Sequence, residues 1–308
     1  DFYGYMRPNG KAGARNYVLL LPVNRSLNFI ASNVERMTRN TRHFEIPAET
    51  GRTEVDREVI ARTLIGLMNN ANVGGIVLLA VKSGAGSAYK NMCAERFEEE
   101  ARKTGKPFRI VYLTNVGGSY NMLGETLRLT REVLLEVSDF RRENCPLSAL
   151  TLGVKCGTSD ATSGIAGNPC VGAAFDQLIR AGGTAFFSET TEIIGAEDLV
   201  AKRAVNESVA KKILSAAKHW EDKAKATGED IRKINPIPAN IAAGISSLEE
   251  KSLGAIAKSG TSPIQDVLKY AEMPKGSGLY FVDSWMSSLS LPLCLTACGA
   301  TIMLYQMG

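Results

Sequence analysis

Histidine is nearly missing from this chain: its 308 residues include only two, His43 and His219. His219 falls in a long charged stretch that reads as a solvated helix, and His43 stands just before a strand. A Ser-His-Asp hydrolase and a multi-histidine metal centre therefore find little support. No apolar run reaches membrane-spanning length and no signal peptide opens the chain, so a cytoplasmic protein is expected. The six cysteines, Cys93, Cys145, Cys156, Cys170, Cys294 and Cys298, show neither zinc-like spacing nor the density of a disulfide-stapled fold. Basic runs are lacking too. The net charge of +4 is spread along the sequence, which speaks against nucleic acid as a partner. No G-x-G-x-x-G follows the first strand and no G-x-x-x-x-G-K-[ST] occurs, so dinucleotide and ATP sites are disfavoured.

What is present is an alternation of apolar runs and amphipathic stretches. Tyr17–Leu21, Gly75–Val81 and Phe108–Leu113 read as buried strands. Helices are expected from Ser26 to about Arg39, after Gly51–Asp56, from about Ser87 to Lys103, and from Met122 to Phe140. Arg141–Pro146 reads as a polar hinge. Beyond it, strands are expected at Ala149–Val154, Gly183–Ser188, Gly278–Val282 and Ala300–Tyr305. Helices are expected at Val171–Arg180, from Ala196 to about Lys225, at Ser247–Lys258 and at Ser262–Ala271. The fold class that follows is α/β, with two doubly wound, Rossmann-like domains of mostly parallel sheet, 1–140 and 141–308, and the site between them. The chain opens at Asp1 without Met and closes abruptly on MLYQMG, so a second domain truncated at its C-terminus is expected.

Leu152–Glu197 is the chemically richest stretch. A strand ends at Val154, and Cys156 follows it in a glycine-punctuated turn with Ser159, Asp160 and Thr162. A second strand runs straight into Glu189, Glu192 and Glu197. Polar groups gathered at strand ends mark sites in open α/β sheets. Cys156 reads as a soft metal ligand, an acid/base thiol or an inert buried residue; Lys155 beside it can lower a thiol pKa or bind a carboxylate. Glu189 and Glu192, with Asp160, are placed to share a divalent ion or to divide metal-holding and base roles. Glu192 and Glu197 can instead belong to the approach to the next helix. Glu250 is either catalytic or half of a capping box with Ser247. Near the start, Arg7, Lys11 and Arg15 surround glycines and can grip an anion. The proline-rich stretch Asn235–Gly244 is a candidate ligand loop. Carboxylate, thiol and lysine suit proton abstraction beside a carboxylate, with a metal polarising the acid, better than acyl transfer.

Four separated blocks carry a resemblance that spans essentially the whole chain. They are GYMRPNGKAGARNYVLLLP; GVKCGTSDATSGIAGNPCVGAAFDQL with GGTAFFSETTEIIGAEDL; Asn235–Lys251 with SLGAIAKSG; and TSPIQDVLKYAEMP. Together they resemble the altronate/galactarate dehydratase family. The resemblance implies lyases that remove water from sugar acids to give 2-keto-3-deoxy acids, with iron(II) or another divalent ion such as Mn2+ or Mg2+. Glu143–Leu147, Lys155–Gly157 and Gly278–Ser284 are similar to one branch, the large subunit of sulfolactate sulfo-lyases, which releases sulfite and leaves pyruvate. That branch implies a separate small subunit, and a homo-oligomer is also expected. Where the sugar-acid enzymes tend to carry His with a Gly-Cys-Gly turn and a Gly-Leu-Gly-Cys-Glu run, this chain has Pro47–Asp56 and Ala80–Gly86. Arg52 and Lys82 in those stretches can meet a sulfonate or be plain surface charge. The expected substrate is a small anionic 2-hydroxy acid. The residues expected to act on it are Cys156, Lys155, Asp160, Glu189, Glu250 and Lys251. Those expected to bind it are Arg7, Arg15, Asn16, Arg52, Lys82, Ser159, Asn168 and Asn240, with Cys156, Asp160, Glu189 and Glu192 on the metal. A scaffold subunit that only binds a small acid is the non-enzymatic alternative.

Overall fold

The structure is a computed structural model that describes residues 1–48, 50–82 and 89–308. The chain divides into two compact units, Asp1–Cys145 and Pro146–Gly308.

The first unit begins with β1 (Phe2–Met6) and β2 (Ala12–Gly13). Both belong to a small antiparallel sheet that the unit's last strand, β7 (Glu143–Cys145), completes in the order β2-β1-β7. The polar composition of these stretches suggests a turn-rich lead-in and a hinge. Pairing of the unit's two ends overrides that local preference, as sheet context commonly does. Arg142 stitches the joint by donating to the carbonyls of Tyr3 and Ala14.

The main sheet holds β3 (Tyr17–Pro22), β4 (Thr41–His43), β5 (Val73–Ala80) and β6 (Phe108–Tyr112), all parallel, in the order β4-β3-β5-β6. Strand order reverses beside β3, so right-handed crossovers must place helices on both faces. Accordingly α1 (Asn28–Met37) packs with the long α5 (Ser119–Ser138), and α2 (Glu54–Asn69) packs with α3 (Ala94–Lys103). A single turn, α4 (Leu113–Val116), lies between β6 and α5. Every residue of β5 is buried, as its unbroken aliphatic run requires of a strand covered on both sides. The loop expected at Lys82–Gly86 and the helix start expected near Ser87 fall, apart from Lys82, outside the described residues.

The second unit has a five-stranded parallel sheet. Its strands are β8 (Thr151–Cys156), β9 (Thr184–Phe187), β10 (Ile264–Leu268), β11 (Gly278–Val282) and β12 (Ile302–Gln306), in the order β10-β11-β9-β8-β12. Alternate side chains point to opposite faces. Ala185, Phe187, Leu279 and Phe281 join one core with Phe175 of α6 (Asn168–Arg180) and with Val209 and Ile213 of α8 (Glu207–Lys225). Phe186, Tyr280 and Val282 join the other, with Leu291, Cys294 and Leu295 of α12 (Ser290–Cys298).

Two expectations are corrected here. Ser262–Ala271 is not a helix but carries β10, because Ile264, Val267 and Leu268 fit the pleat of an edge strand as readily as a helical stripe. The single helix expected over 196–225 is broken into α7 (Glu197–Ala201) and α8. Ala204 bridges to Ile264 between them, and the Asn206 side chain caps the new helix by accepting from Val209 N. The proline-rich stretch follows a short helix, α9 (Ile231–Ile234), and contains another, α10 (Pro238–Ala242), just after the Asn235–Pro236 bond. Then comes α11 (Leu248–Ile256).

Candidate active site at the strand ends of the second unit

Strands β8 and β9 pair in the register Gly153↔Phe186. Three residues further along, that register sets Cys156 opposite Glu189, both past or at the carboxyl ends of their strands. Glu189 adopts a left-handed backbone (φ 74°, ψ 63°), which a side chain other than glycine tolerates only when its surroundings enforce it. The enforcement is visible. Thr190 N donates to Ser284 O at 2.8 Å, and Thr190 Oγ1 donates to Asp283 Oδ1 at 2.7 Å. The same Asp283 oxygen accepts from Trp220 Nε1 at 2.9 Å. The end of β11 thus holds the tight turn Thr190–Glu192 in place, and that turn brings Glu192 back beside Cys156.

The result is a buried group. Cys156 Sγ lies 3.3 Å from Glu189 Oε2 and 3.1 Å from Glu192 Oε2. A fourth member, Lys258, comes from the turn Ala257–Ser259 that follows α11. Its fully buried ammonium bonds to Glu189 Oε2, to Glu192 Oε2 at 3.2 Å and to Cys156 Sγ at 3.3 Å. Lys155 closes the far side, 2.7 Å from Glu189 Oε1. The turn that bears Lys258 is itself pinned. A Cβ on Gly172 of α6 would meet Ala257 O at 2.2 Å, so glycine is needed for the approach. Asp176 of the same helix accepts from Thr261 N and Ser262 N.

Electrostatics follow from this burial. Burial pushes the Cys156 thiol up to about 12, so it is a neutral S–H donor to the carboxylates. Burial alone would raise the Glu189 carboxyl, but Lys258 and Lys155 together bring it below the usual carboxylate range. Burial likewise opposes the charge of Lys258, yet the carboxylates of Glu189 and Glu192 raise its pKa well above that of a free lysine. The group is then electrically balanced, with two ammoniums against two carboxylates.

Cys156 Sγ and one oxygen each of Glu189 and Glu192 lie within 4.8 Å of one another, as the ligands of one metal ion would. The fit is tested by what already sits among them, since the Lys258 ammonium is a cation drawn in by these three donors. Their mixture of thiol and carboxylate suits a borderline divalent ion, and binding would release the thiol proton.

A polar pocket of about 280 Å³ opens beside the group, lined by Lys155, Glu192, Ser159, Asn240, Lys251 and Tyr305 among others. A larger groove of about 1140 Å³ runs along β10 and α8 but includes none of Cys156, Glu189 or Glu192; charged side chains such as Lys211, Lys212 and Glu272 line it. The smaller pocket is the one that meets the reactive groups.

Other expected site residues stand elsewhere. Asp160 is apart from the Cys156 group, its Oδ1 accepting from Thr162 Oγ1 and Ser163 N at the start of a π-helical turn, Ser163–Gly167. Glu250 is exposed in the first turn of α11, its carboxylate accepting from Ser246 N while its own N donates to the N-cap Ser247 Oγ. Half of the expected capping box is formed, because the carboxylate turns to Ser246 rather than to the backbone N–H of Ser247. Asn168 is buried and donates to Gly254 O. In the first unit, Arg7 is buried and spends its guanidinium on Ala71 O, Arg15 O and Asn16 Oδ1, while Asn16 donates to Val137 O. These two fasten the small sheet to the main one. Arg15 is exposed and lines a separate pocket with Tyr5, Tyr17, Arg141 and Arg142. Arg52 is exposed and donates to Ala48 O at 2.6 Å; Lys82 is exposed. Lys258 is the residue that sequence reasoning missed. The one signal for it was a lysine ending the apolar stretch Leu253–Ala257 immediately before Ser-Gly.

A buried thiol–carboxylate–lysine group at the carboxyl ends of a parallel sheet covered on both faces stands where α/β proteins place their ligand sites. Residues 147–308 match the D-galactarate/altronate dehydratase C-terminal family, and residues 4–138 match the second domain of D-galactarate dehydratase/altronate hydrolase. The chain belongs to this family, as its four sequence blocks suggested. It is 34% identical to the (2R)-sulfolactate sulfo-lyase subunit beta of Chromohalobacter salexigens, over 97% of this chain and 75% of that protein. It is 32% identical to an altronate dehydratase of Bacillus subtilis, over 100% of this chain and 62% of that enzyme. With the galactarate dehydratase (L-threo-forming) of Escherichia coli the identity is 31%, over 100% of this chain and 61% of that enzyme. The chain thus spans about three fifths of the length of these dehydratases. All three relatives are named as lyases or dehydratases. Among the described residues, no helix is long and apolar enough to cross a membrane.

Proposed function

We propose that the chain is a metal-dependent lyase that eliminates a group from C3 of a small 2-hydroxy acid and leaves a 2-keto acid. The observation that carries this reading is the Cys156–Glu189–Glu192 group, buried yet reached through Glu192 from a polar pocket. Cys156, Glu189 and Glu192 would hold the ion, and the mixed sulfur and oxygen donors favour iron(II) over Mg2+. A divalent ion there supplies Lewis acidity to the substrate carboxylate and 2-hydroxyl, which raises the acidity of the α hydrogen. Lys155 and Lys258 keep Glu189 ionised and aimed inward. The side chains of Lys251, Asn240 and Ser159 face the acid from the pocket walls.

In the reaction a base takes the α proton and the C–H pair becomes the C2=C3 bond while the C3–leaving-group pair departs. The enol then takes a proton at C3 to give the keto acid. With sulfolactate the products are sulfite and pyruvate. The identity to a sulfo-lyase subunit over 75% of its length supports this substrate first. The similar identities to sugar-acid dehydratases support water as leaving group second. That the Chromohalobacter salexigens relative is a beta subunit supports a companion small subunit for this chain as well.

The test incubates anaerobic protein with iron(II), with and without such a companion, and with sulfolactate, altronate or galactarate in turn. Sulfite with equimolar pyruvate is the expected result. A 2-keto-3-deoxy acid from a sugar acid, with no sulfite from sulfolactate, would reverse the order. Binding of less than about a tenth of an equivalent of any divalent metal, with no turnover, would instead support a scaffold subunit, because a metal-dependent site requires near-full occupancy.

A further inference from the structure

Lys258 stands where an ion would stand. Its Nζ donates to Glu189 Oε2, to Glu192 Oε2 at 3.2 Å and to Cys156 Sγ at 3.3 Å. An ammonium has three N–H donors, and these three contacts use them all. The acceptors belong to the same three side chains whose donor atoms lie close enough to hold one metal ion. Metal bonds to sulfur and oxygen run about 2.0–2.3 Å, so an ion on these side chains takes the space among the atoms that Nζ now faces. Two cations on one set of three donors repel strongly in a site that is buried and poorly screened. The donors therefore hold one cation at a time.

The backbone that bears Lys258 is held on both sides. Arg203 Nη1 donates to Ser259 Oγ at 2.8 Å, and its Nη2 donates to Ser259 O at 3.2 Å. Asp176 Oδ1 accepts from Thr261 N at 3.0 Å and from Ser262 N at 2.9 Å, and Ala257 O lies against Gly172. What is left to move is the side chain, whose flexible four-carbon stem rotates without the backbone. Lys155 has no such conflict. It meets Glu189 through the other oxygen, Oε1, at 2.7 Å, and stays paired when an ion takes Oε2.

We propose that the Lys258 ammonium is a placeholder for the divalent ion: it fills the Cys156–Glu189–Glu192 site until an ion enters, and swings out, still charged, when one does. The inference rests on the metal-dependent reading of this group and adds an internal competitor to it. With Lys155, the placeholder keeps two buried carboxylates balanced before any ion arrives. The consequence is a weaker hold on the ion. An ion binds only the form from which the ammonium has withdrawn, so its apparent dissociation constant is raised by the reciprocal of that form's population.

The experiment titrates manganese(II) alone into the full chain, stripped of metal by a chelator, and follows binding by calorimetry. Lys258→Met keeps an unbranched stem and removes the competitor. With the withdrawn form at about a tenth or less of the wild-type population, the variant should bind the ion about tenfold or more tightly. Lys258→Arg, which keeps a cation in place, should bind no more tightly than wild type. Should Lys258→Met fail to fold without metal, a count of released protons on the wild type decides. Titration in buffers of different ionisation heat gives that count. About one proton, from the Cys156 thiol, is expected. Two would mean that Lys258 gave up its proton and stayed as a ligand, and would overturn the proposal. Equal or weaker binding by Lys258→Met than by wild type overturns this inference alone. Binding by no form of the protein removes the metal reading, and this inference with it.

Discussion

Removing the Lys258 ammonium is the most searching perturbation of the buried group, because it changes charge without touching a proposed ligand. In Lys258→Met, Glu189 retains Lys155, but Glu192 loses its partner and faces Glu189 across no more than 4.8 Å. At an effective dielectric of about 20, two like charges at that separation repel by roughly 3.5 kcal/mol. Breaking a buried ion pair by removing one partner costs about 3–5 kcal/mol, in agreement. Urea denaturation in the presence of a chelator should therefore show the variant less stable by about 3–5 kcal/mol. A divalent ion at a hundred times its dissociation constant contributes about 2.7 kcal/mol to any folded state that binds it, and it also replaces the missing positive charge. Saturating iron(II) or manganese(II) should accordingly restore most of the loss. The double variant Lys258→Met/Glu189→Gln, with Lys155 left to balance Glu192, should recover part of the loss without metal. If Lys258→Met in chelator matches the wild type to within about 1 kcal/mol, the account of Lys258 as the cation holding this group together is refuted.

Three further expectations can be checked on the same protein. Lys106 in the first unit is buried, donates to Met68 O and Asn70 O, and burial pushes it down to about 7 from 10.5. The unfolded chain therefore binds more protons between those two values, so stability should rise with pH across that window, by at most about 5 kcal/mol, and Lys106→Met should flatten the rise in denaturation series. Asp283→Ala removes the acceptor shared by Thr190 and Trp220 and should loosen the turn that carries Glu192. Calorimetry should show metal affinity down about 10–100-fold, the range for partners that orient ligands. Gly172→Ala drives a methyl group into Ala257 O and should displace the turn bearing Lys258, destabilising the protein by about 1–3 kcal/mol in thermal melts and lowering metal content alongside.

The parts of this architecture that were readable beforehand are those in which one local pattern has one structural meaning. Gly75–Val81 and Gly278–Val282 are continuous apolar runs, and a parallel sheet covered on both faces is where such runs belong. Cys156, Glu189 and Glu192 could be proposed as partners because each stands at or just past the end of such a run. The edge strand β10 was not readable, since IQDVL offers the same apolar spacing to a helix. Lys258 was hidden for a different reason. It meets Cys156 across 102 positions of sequence, and a lysine at a helix end ordinarily reads as a solvated charge. Asp160 misled in the opposite direction. Its nearness to Cys156 in sequence suggested a shared ion, but a short Asp side chain beside Ser163 satisfies its own turn first.

Lys251 and Lys258 are seven positions apart on one stretch of helix, α11 running into the turn Ala257–Ser259. Seven residues, most of them in α11 and the last in the tighter turn that continues it, make about two turns, so the two lysines leave the same side of this stretch. The interval between them is thus a matter of phase rather than of composition. Gain or loss of a single residue would swing one lysine about 100° around the axis relative to the other. A chain so altered could keep its fold and either lysine, but not both in place, and length between these two positions is the better criterion for sorting sequences that share this site.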